Sequence, residues 1–154
     1  MPEDRPVKNA EISVFSHATE DEEKVKKAIK NLVPHIEIEI EESKLSGHFE
    51  DPILLFTSKI EHRKEASELL AFIYKRFSSI DRLQIDSDLA ERVDESGSIY
   101  FRLDKQKAYN GKVVLNDSDP IRVKLKLQLP HKADPVVFLR NHLLTLDDRG
   151  EPEG

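Results

Sequence analysis

The sequence predicts an α+β fold: one mixed, mainly antiparallel β-sheet with helices packed chiefly on one face. Three observations carry that reading. Short stretches of strict apolar–polar alternation recur along the chain, and such alternation marks a strand with one face buried and the other wet. Between them lie stretches whose apolar residues recur at i, i+3 and i+4, the helical spacing. The resulting order, β-α-β-β-α-α-β-β-β-α, implies a single sheet with helices mainly on one side.

Length and composition set the bounds. The 154 residues make one domain the expectation, over residues 10–146, with flexible termini at 1–9 and 147–154. The chain is 38% hydrophobic and 35% charged, a highly charged but globular balance. There is no cysteine, hence no disulfide, no thiolate zinc site and no cysteine nucleophile, which fits a cytoplasmic protein. No apolar run approaches the roughly 18 residues of a membrane-spanning helix, and the acidic N-terminus does not read as a signal peptide.

Residues 10–17 alternate as a first strand, with Ile12, Val14 and Ser16 on one face. Thr19 followed by Glu22 has the form of a capping box and opens a helix to about Leu32. Its stripe is Val25, Ala28, Ile29, Leu32 and Val33; glutamates crowd its first turn and lysines its later ones, which suits the helix dipole. Residues 36–42 alternate isoleucine with glutamate as a second strand. Residues 43–52 form a loop, and 53–60 a third strand with an interior place in the sheet.

Residues 62–77 give the clearest helix, through Ala66, Leu69, Leu70, Ile73 and Phe77. Ser79 caps a shorter one toward Val93 that buries Ile80, Leu83, Leu89 and Val93. Residues 98–104 form a fourth strand. Residues 105–109 are a helical turn or a strand continuation before the Asn110-Gly111 turn, and 112–115 a short fifth strand. Asp134-Pro135 reads as an N-cap with a first-turn proline. The final helix then runs to about Leu146 and buries Val137, Phe138, Leu143 and Leu144.

The most informative stretch is the sixth strand, residues 119–129. Ile121, Val123, Leu125, Leu127 and Leu129 fall on one face; Arg122, Lys124, Lys126 and Gln128 fall on the other. The second face is a row of three cations about 7 Å apart. The chain as a whole has a net charge of −6, which argues against a generic nucleic-acid binder. Yet residues 98–132 hold eight Lys/Arg and three Asp, leaving −11 for the rest. A basic segment on an acidic body still makes a local positive field.

Several stretches resemble an archaeal family described as predicted exosome subunits or RNA-binding proteins. They are Ser16-His17-Ala18-Thr19-Glu20-Asp21-Glu22-Glu23-Lys24-Val25, then Gly47-His48 with Asp51-Pro52. Further on come Tyr100-Phe101-Arg102-Leu103-Asp104-Lys105-Gln106 with Ala108-Tyr109 and Gly111, and Asp119-Pro120-Ile121-Arg122-Val123-Lys124. The resemblance implies a fold similar to the ribosomal protein that holds 5S RNA, and a non-catalytic RNA-binding role linked to RNA processing.

The candidate RNA contacts are Arg102, Lys105, Gln106, Lys107, Tyr109, Lys112, Arg122, Lys124 and Lys126. Arginines would grip phosphates bidentately, lysines as point charges, and Tyr100 or Tyr109 would offer a stacking ring. The competing reading is an ion ladder in which Glu37, Glu39 and Glu41 lie across from Arg122, Lys124 and Lys126 and cancel their field. A second function class is a protein-interaction subunit of an RNA-processing complex, docking a basic partner through the acidic helices. A third is a metal-dependent hydrolase. Its candidate groups are His17 as a base, the His48-Phe49-Glu50-Asp51 cluster, which has no second histidine at metal-ligand spacing, and Asp104 with Asp117 and Asp119, near in sequence but with two of them in a turn, where aspartate is expected for turn geometry. Neither a phosphate-cradling glycine loop nor a serine elbow occurs. The expectation is therefore a non-enzyme with RNA as partner and no metal or cofactor.

Overall fold

A computed structural model describes residues 5–45 and 53–148. Five strands make one sheet: β1 (Val7–Ser16), β2 (Glu41–Leu45), β3 (Ile53–Ile60), β4 (Ser98–Leu103) and β5 (Ile121–Leu127). Six helices accompany them among the described residues: α1 (Glu22–Leu32), α2 (Arg63–Arg76), α3 (Ser79–Ser87), α4 (Leu89–Arg92), α5 (Lys105–Tyr109) and α6 (Pro135–Asp148). The strand order is β2-β3-β1-β5-β4, and every neighbouring pair is antiparallel. The fold is α+β, as the alternation predicted.

One sheet face makes the core. Ala10, Ile12 and Val14 of β1, Phe56 and Ile60 of β3, Ile99, Phe101 and Leu103 of β4, and Ile121, Val123, Leu125 and Leu127 of β5 are all buried. The stripe Val25, Ala28, Ile29 and Leu32 of α1 and the stripe Ala66, Leu69, Leu70 and Ile73 of α2 are buried in the same cluster. Each fully buried aliphatic side chain contributes about 1.5–3 kcal/mol over leaving it in water. A buried serine fixes where α2 meets the sheet: Ser67 Oγ accepts from Val7 N (3.0 Å) and donates to Val7 O (3.3 Å).

Several expectations need correction. The cap of α1 is Asp21, whose side chain accepts from Glu23 N; Glu20 instead accepts from His17 N. Residues 36–40 form no ladder. Ile36, Ile38 and Ile40 are half-buried against the core, so the alternation there records a covering segment, and the edge strand begins at Glu41. Residues 112–115 make only an isolated bridge, Leu103 to Leu115.

Ser78, not Ser79, caps α3 through Asp81 N. Ile80 and Leu83 are 77% and 70% exposed, because Ile85 and Leu89 take the inward positions. On α6, Leu143 is buried as expected, but Leu139 and Leu146 accompany it, while Val137 and Leu144 are exposed. Residues 46–52, including His48, Glu50 and Asp51, lie outside the described residues, as does the chain beyond 148.

Candidate nucleic-acid interface

The face of the sheet opposite the core is built from the alternate residues of the same strands. β5 lies between β1 and β4, so its outward cations meet both neighbours. Arg102 stands opposite Arg122, Tyr100 opposite Lys124, and Ser98 opposite Lys126. On the other side Arg122 meets Ser13 and Lys124 meets Glu11, while Glu11 also faces Lys59 of β3. Arg102, Arg122 and Lys124 are exposed, and among the described residues none has a carboxylate within ion-pairing distance. Lys126 is partly committed: its Nζ donates to Ser96 O at 2.9 Å.

The acidic ladder is not formed. Glu37 and Glu39 lie in the unladdered segment, and Glu41 pairs with Thr57, leaving β3 and β1 between it and β5. Among the described residues of β1, β3, β4 and β5, Glu11 is the one carboxylate that the register puts on this face.

Two rings share the face with these cations. The Arg122 guanidinium lies 5.8 Å from the centroid of Phe15, and Lys124 Nζ lies 5.9 Å from that of Tyr100. Tyr100 Oη donates to Asp94 Oδ2 at 2.7 Å, and Asp94 Oδ1 also accepts from Ser96 N and Ser98 N. The Ser98 N–H, then the Tyr100 hydroxyl, hold the Asp94 carboxyl well below the usual range, and the same carboxylate raises the Tyr100 hydroxyl. Phe15 was missed in the sequence. Its signal is parity: it alternates with Glu11 and Ser13, so it stands on the wet face of a strand whose other residues there are polar.

Lys105 is turned away from solvent, with a side chain 12% exposed. Its Nζ donates to Phe15 O (2.7 Å) and Glu20 Oε1 (2.9 Å) and pairs with Asp119 Oδ2 (2.9 Å). Asp119 also meets His17 Nε2 at 3.1 Å. Burial opposes the charge on Asp119, but the bonds from Lys105 and His17 outweigh it and keep its pKa below the ordinary value. Asp119 has a positive φ of 47°, a conformation that aspartate tolerates better than most residues.

A family model described as RNA binding matches residues 9–127, the span from β1 to the end of β5. The chain belongs to this RNA-binding family. It is 37% identical over 135 residues to the RNA-binding protein PAB1135 of Pyrococcus abyssi, across 84% of this chain and 88% of that protein. Its fold is similar to that of protein AF2318 from Archaeglobus fulgidus, at 33% identity and a TM-score of 0.77, covering 88% of this chain and 99% of that one. It is also similar to Mth689 from Methanothermobacter thermautotrophicus, at 29% identity and a TM-score of 0.71, covering 90% and 98%.

In this member of the RNA-binding family the sequence-selected residues fall into separate places. Arg102, Arg122, Lys124 and Lys126 share the open face. Gln106, Lys107 and Tyr109 belong to α5, which packs on α1 in the helical layer, and exposed Lys112 follows in the next turn. There the Tyr109 ring lies 5.6 Å from both Lys24 Nζ and Lys27 Nζ.

Of the hydrolase candidates, His17 and Asp119 come together, while Asp104 and Asp117 are used elsewhere. Asp104 caps α5 through Lys107 N and accepts from Asn116, while Asp117 is exposed. His17, Glu20 and Asp119 offer ligand atoms within 4.8 Å of one another. The Lys105 ammonium already bonds both carboxylates there, so the positive charge a metal would bring is supplied by the chain itself. Among the described residues no helix is long and apolar enough to cross a membrane.

Proposed function

We propose that this chain is a non-catalytic RNA-binding protein that grips RNA by its phosphates across the open sheet face, as an accessory subunit in RNA processing. The observation that carries the reading is the unrelieved meeting of Arg102 with Arg122, beside Lys124. Like charges directly across strands cost stability. A polyanion laid over them removes that cost and releases its own counterions. The family description and the name of the Pyrococcus abyssi relative support the polyanion being RNA. Arg102, Arg122 and Lys124 are the central contacts. Lys126 flanks them, and Lys107, Tyr109 and Lys112 would serve RNA that continues past the sheet edge.

The test is RNA affinity, by fluorescence anisotropy, of the parent and of Arg122→Glu with Lys124→Glu. Both positions are exposed, so the doubly reversed protein keeps its circular dichroism and loses binding. Equal affinity in the two proteins would sink the reading.

A protein partner is the second reading. Ile80 and Leu83, one helical turn apart on α3, are the most exposed large apolar residues described. Such an exposed apolar pair is where a partner's apolar surface would dock. Replacing both with serine abolishes capture of a partner under this reading; unchanged capture excludes it for that surface.

A further inference from the structure

We infer that the open face selects single-stranded RNA, seating one base on Phe15 and another on Tyr100. This rests on the reading above and sharpens it. The two rings occupy the strands on either side of β5, and each has a β5 cation beside it: Arg122 near Phe15, Lys124 near Tyr100. A base stacked on either ring therefore places its phosphate within reach of a cation two residues from the next one along the strand. Single-strand sites combine these two elements, a cationic track and aromatic platforms.

The Tyr100 ring and the Phe15 backbone are held before any ligand arrives. Tyr100 Oη is tied to Asp94, itself fixed by the Ser96 and Ser98 amides. The Phe15 carbonyl is held by Lys105 Nζ, which Glu20 and Asp119 hold in turn. Lys105 thus bears on the site from behind, through the backbone of Phe15. A pre-set ring such as that of Tyr100 loses little freedom on binding.

The register separates the rings by two strands and four residues along them. That is about 16 Å, a gap a few extended nucleotides span. Ser13, Arg122 and Arg102 lie in the row between, as hydrogen-bond groups for sugar, phosphate and base edges. A duplex cannot use this arrangement. Its bases are stacked on one another, and the deep, narrow major groove of A-form RNA does not admit side chains. Duplex RNA would meet the cations alone.

The test measures binding of three labelled probes, each about a dozen nucleotides long. They are a single-stranded RNA, a duplex of the same length, and a single strand whose bases are replaced by abasic residues. The proteins are the parent, Phe15→Leu, Tyr100→Leu, Tyr100→Phe, and the doubly reversed Arg122→Glu/Lys124→Glu. The single strand should bind on the order of tenfold more tightly than the duplex or the abasic strand. Phe15→Leu and Tyr100→Leu should each lose on the order of tenfold toward the single strand and nothing toward the abasic one. Tyr100→Phe keeps the platform and most of the affinity.

An abasic strand or a duplex bound as tightly as the intact single strand overturns the stacking inference. This comparison does not depend on any variant folding. If the charge reversal still abolishes binding in that case, the RNA-binding reading stands. If the charge reversal is neutral, or the parent binds none of the probes, both fall.

Discussion

Arg102 and Arg122 face each other directly across the β4–β5 ladder, with no carboxylate within ion-pairing distance of either among the described residues. A sheet selected only for stability would place an acid at one of these positions. Arg102→Glu makes the pair attractive, so it should raise the melting temperature, by about 0.2–1 kcal/mol of added stability. The same change should weaken RNA binding at least about tenfold, since it removes one phosphate contact and adds a repulsive charge. Calorimetry and anisotropy on one preparation check both halves. A variant that gains stability and keeps its affinity would show that the pair is not used for binding.

Glu11 stands opposite both Lys59 and Lys124 and dilutes the field of the face. Glu11→Gln should raise RNA affinity roughly threefold, mainly through faster association. Stopped-flow mixing at low and high salt reads this directly. The gain should shrink as salt screens the charges.

Lys105→Met leaves Glu20 and Asp119 facing each other and removes the donor to the Phe15 carbonyl. The predicted loss is about 2 kcal/mol, below the figure for a fully buried pair because Asp119 is partly in water. Exposed Lys107 makes no ion pair among the described residues, so Lys107→Met should leave thermal stability unchanged. Comparing the two melting temperatures separates a buried ion cluster from a surface charge.

The carboxyls of Asp94 and Asp119 are both held below the ordinary aspartate range, Asp94 first by the Ser98 amide and then by Tyr100, Asp119 by Lys105 and His17 against its burial. A group depressed in the folded state binds its proton more readily when unfolded. Its contribution is complete above the ordinary value of about 4 and is lost as pH falls through the lower folded value. The melting temperature should thus be insensitive to these groups above about pH 5 and decline below about pH 4. Asp94→Asn should flatten part of that decline. An unchanged acid limb would remove Asp94 as a contributor.

The parts of the fold that one strand or helix determines were legible. Strict alternation located β1, β4 and β5, and the i, i+3, i+4 stripe located α1 and α2. The phase of a helix is harder to read when apolar residues lie on several sides. On α6 the run Val136, Val137, Phe138, Leu139 allows more than one inward face, and packing chose Leu139 over Val137. Alternation also failed at residues 36–40, because isoleucines that cover a core alternate as a laddered strand does.

In the candidate site, the outward phase of Arg122, Lys124 and Lys126 was readable from β5 alone. Their neighbours were not. Whether Arg102 or Glu41 lies beside Arg122 is a matter of strand order, set by long-range packing. For the same reason Lys105 read as one more surface cation. Its partners Glu20 and Phe15 are 85 and 90 residues away.

The most direct test of where RNA sits is amide chemical-shift mapping of the labelled protein on titration with single-stranded RNA. Perturbations should cluster on β1, β4 and β5, centred on Phe15, Tyr100, Arg102, Arg122 and Lys124. Perturbations confined to α1 and α5, around Lys24, Lys27 and Tyr109, with the sheet unmoved, would contradict this placement.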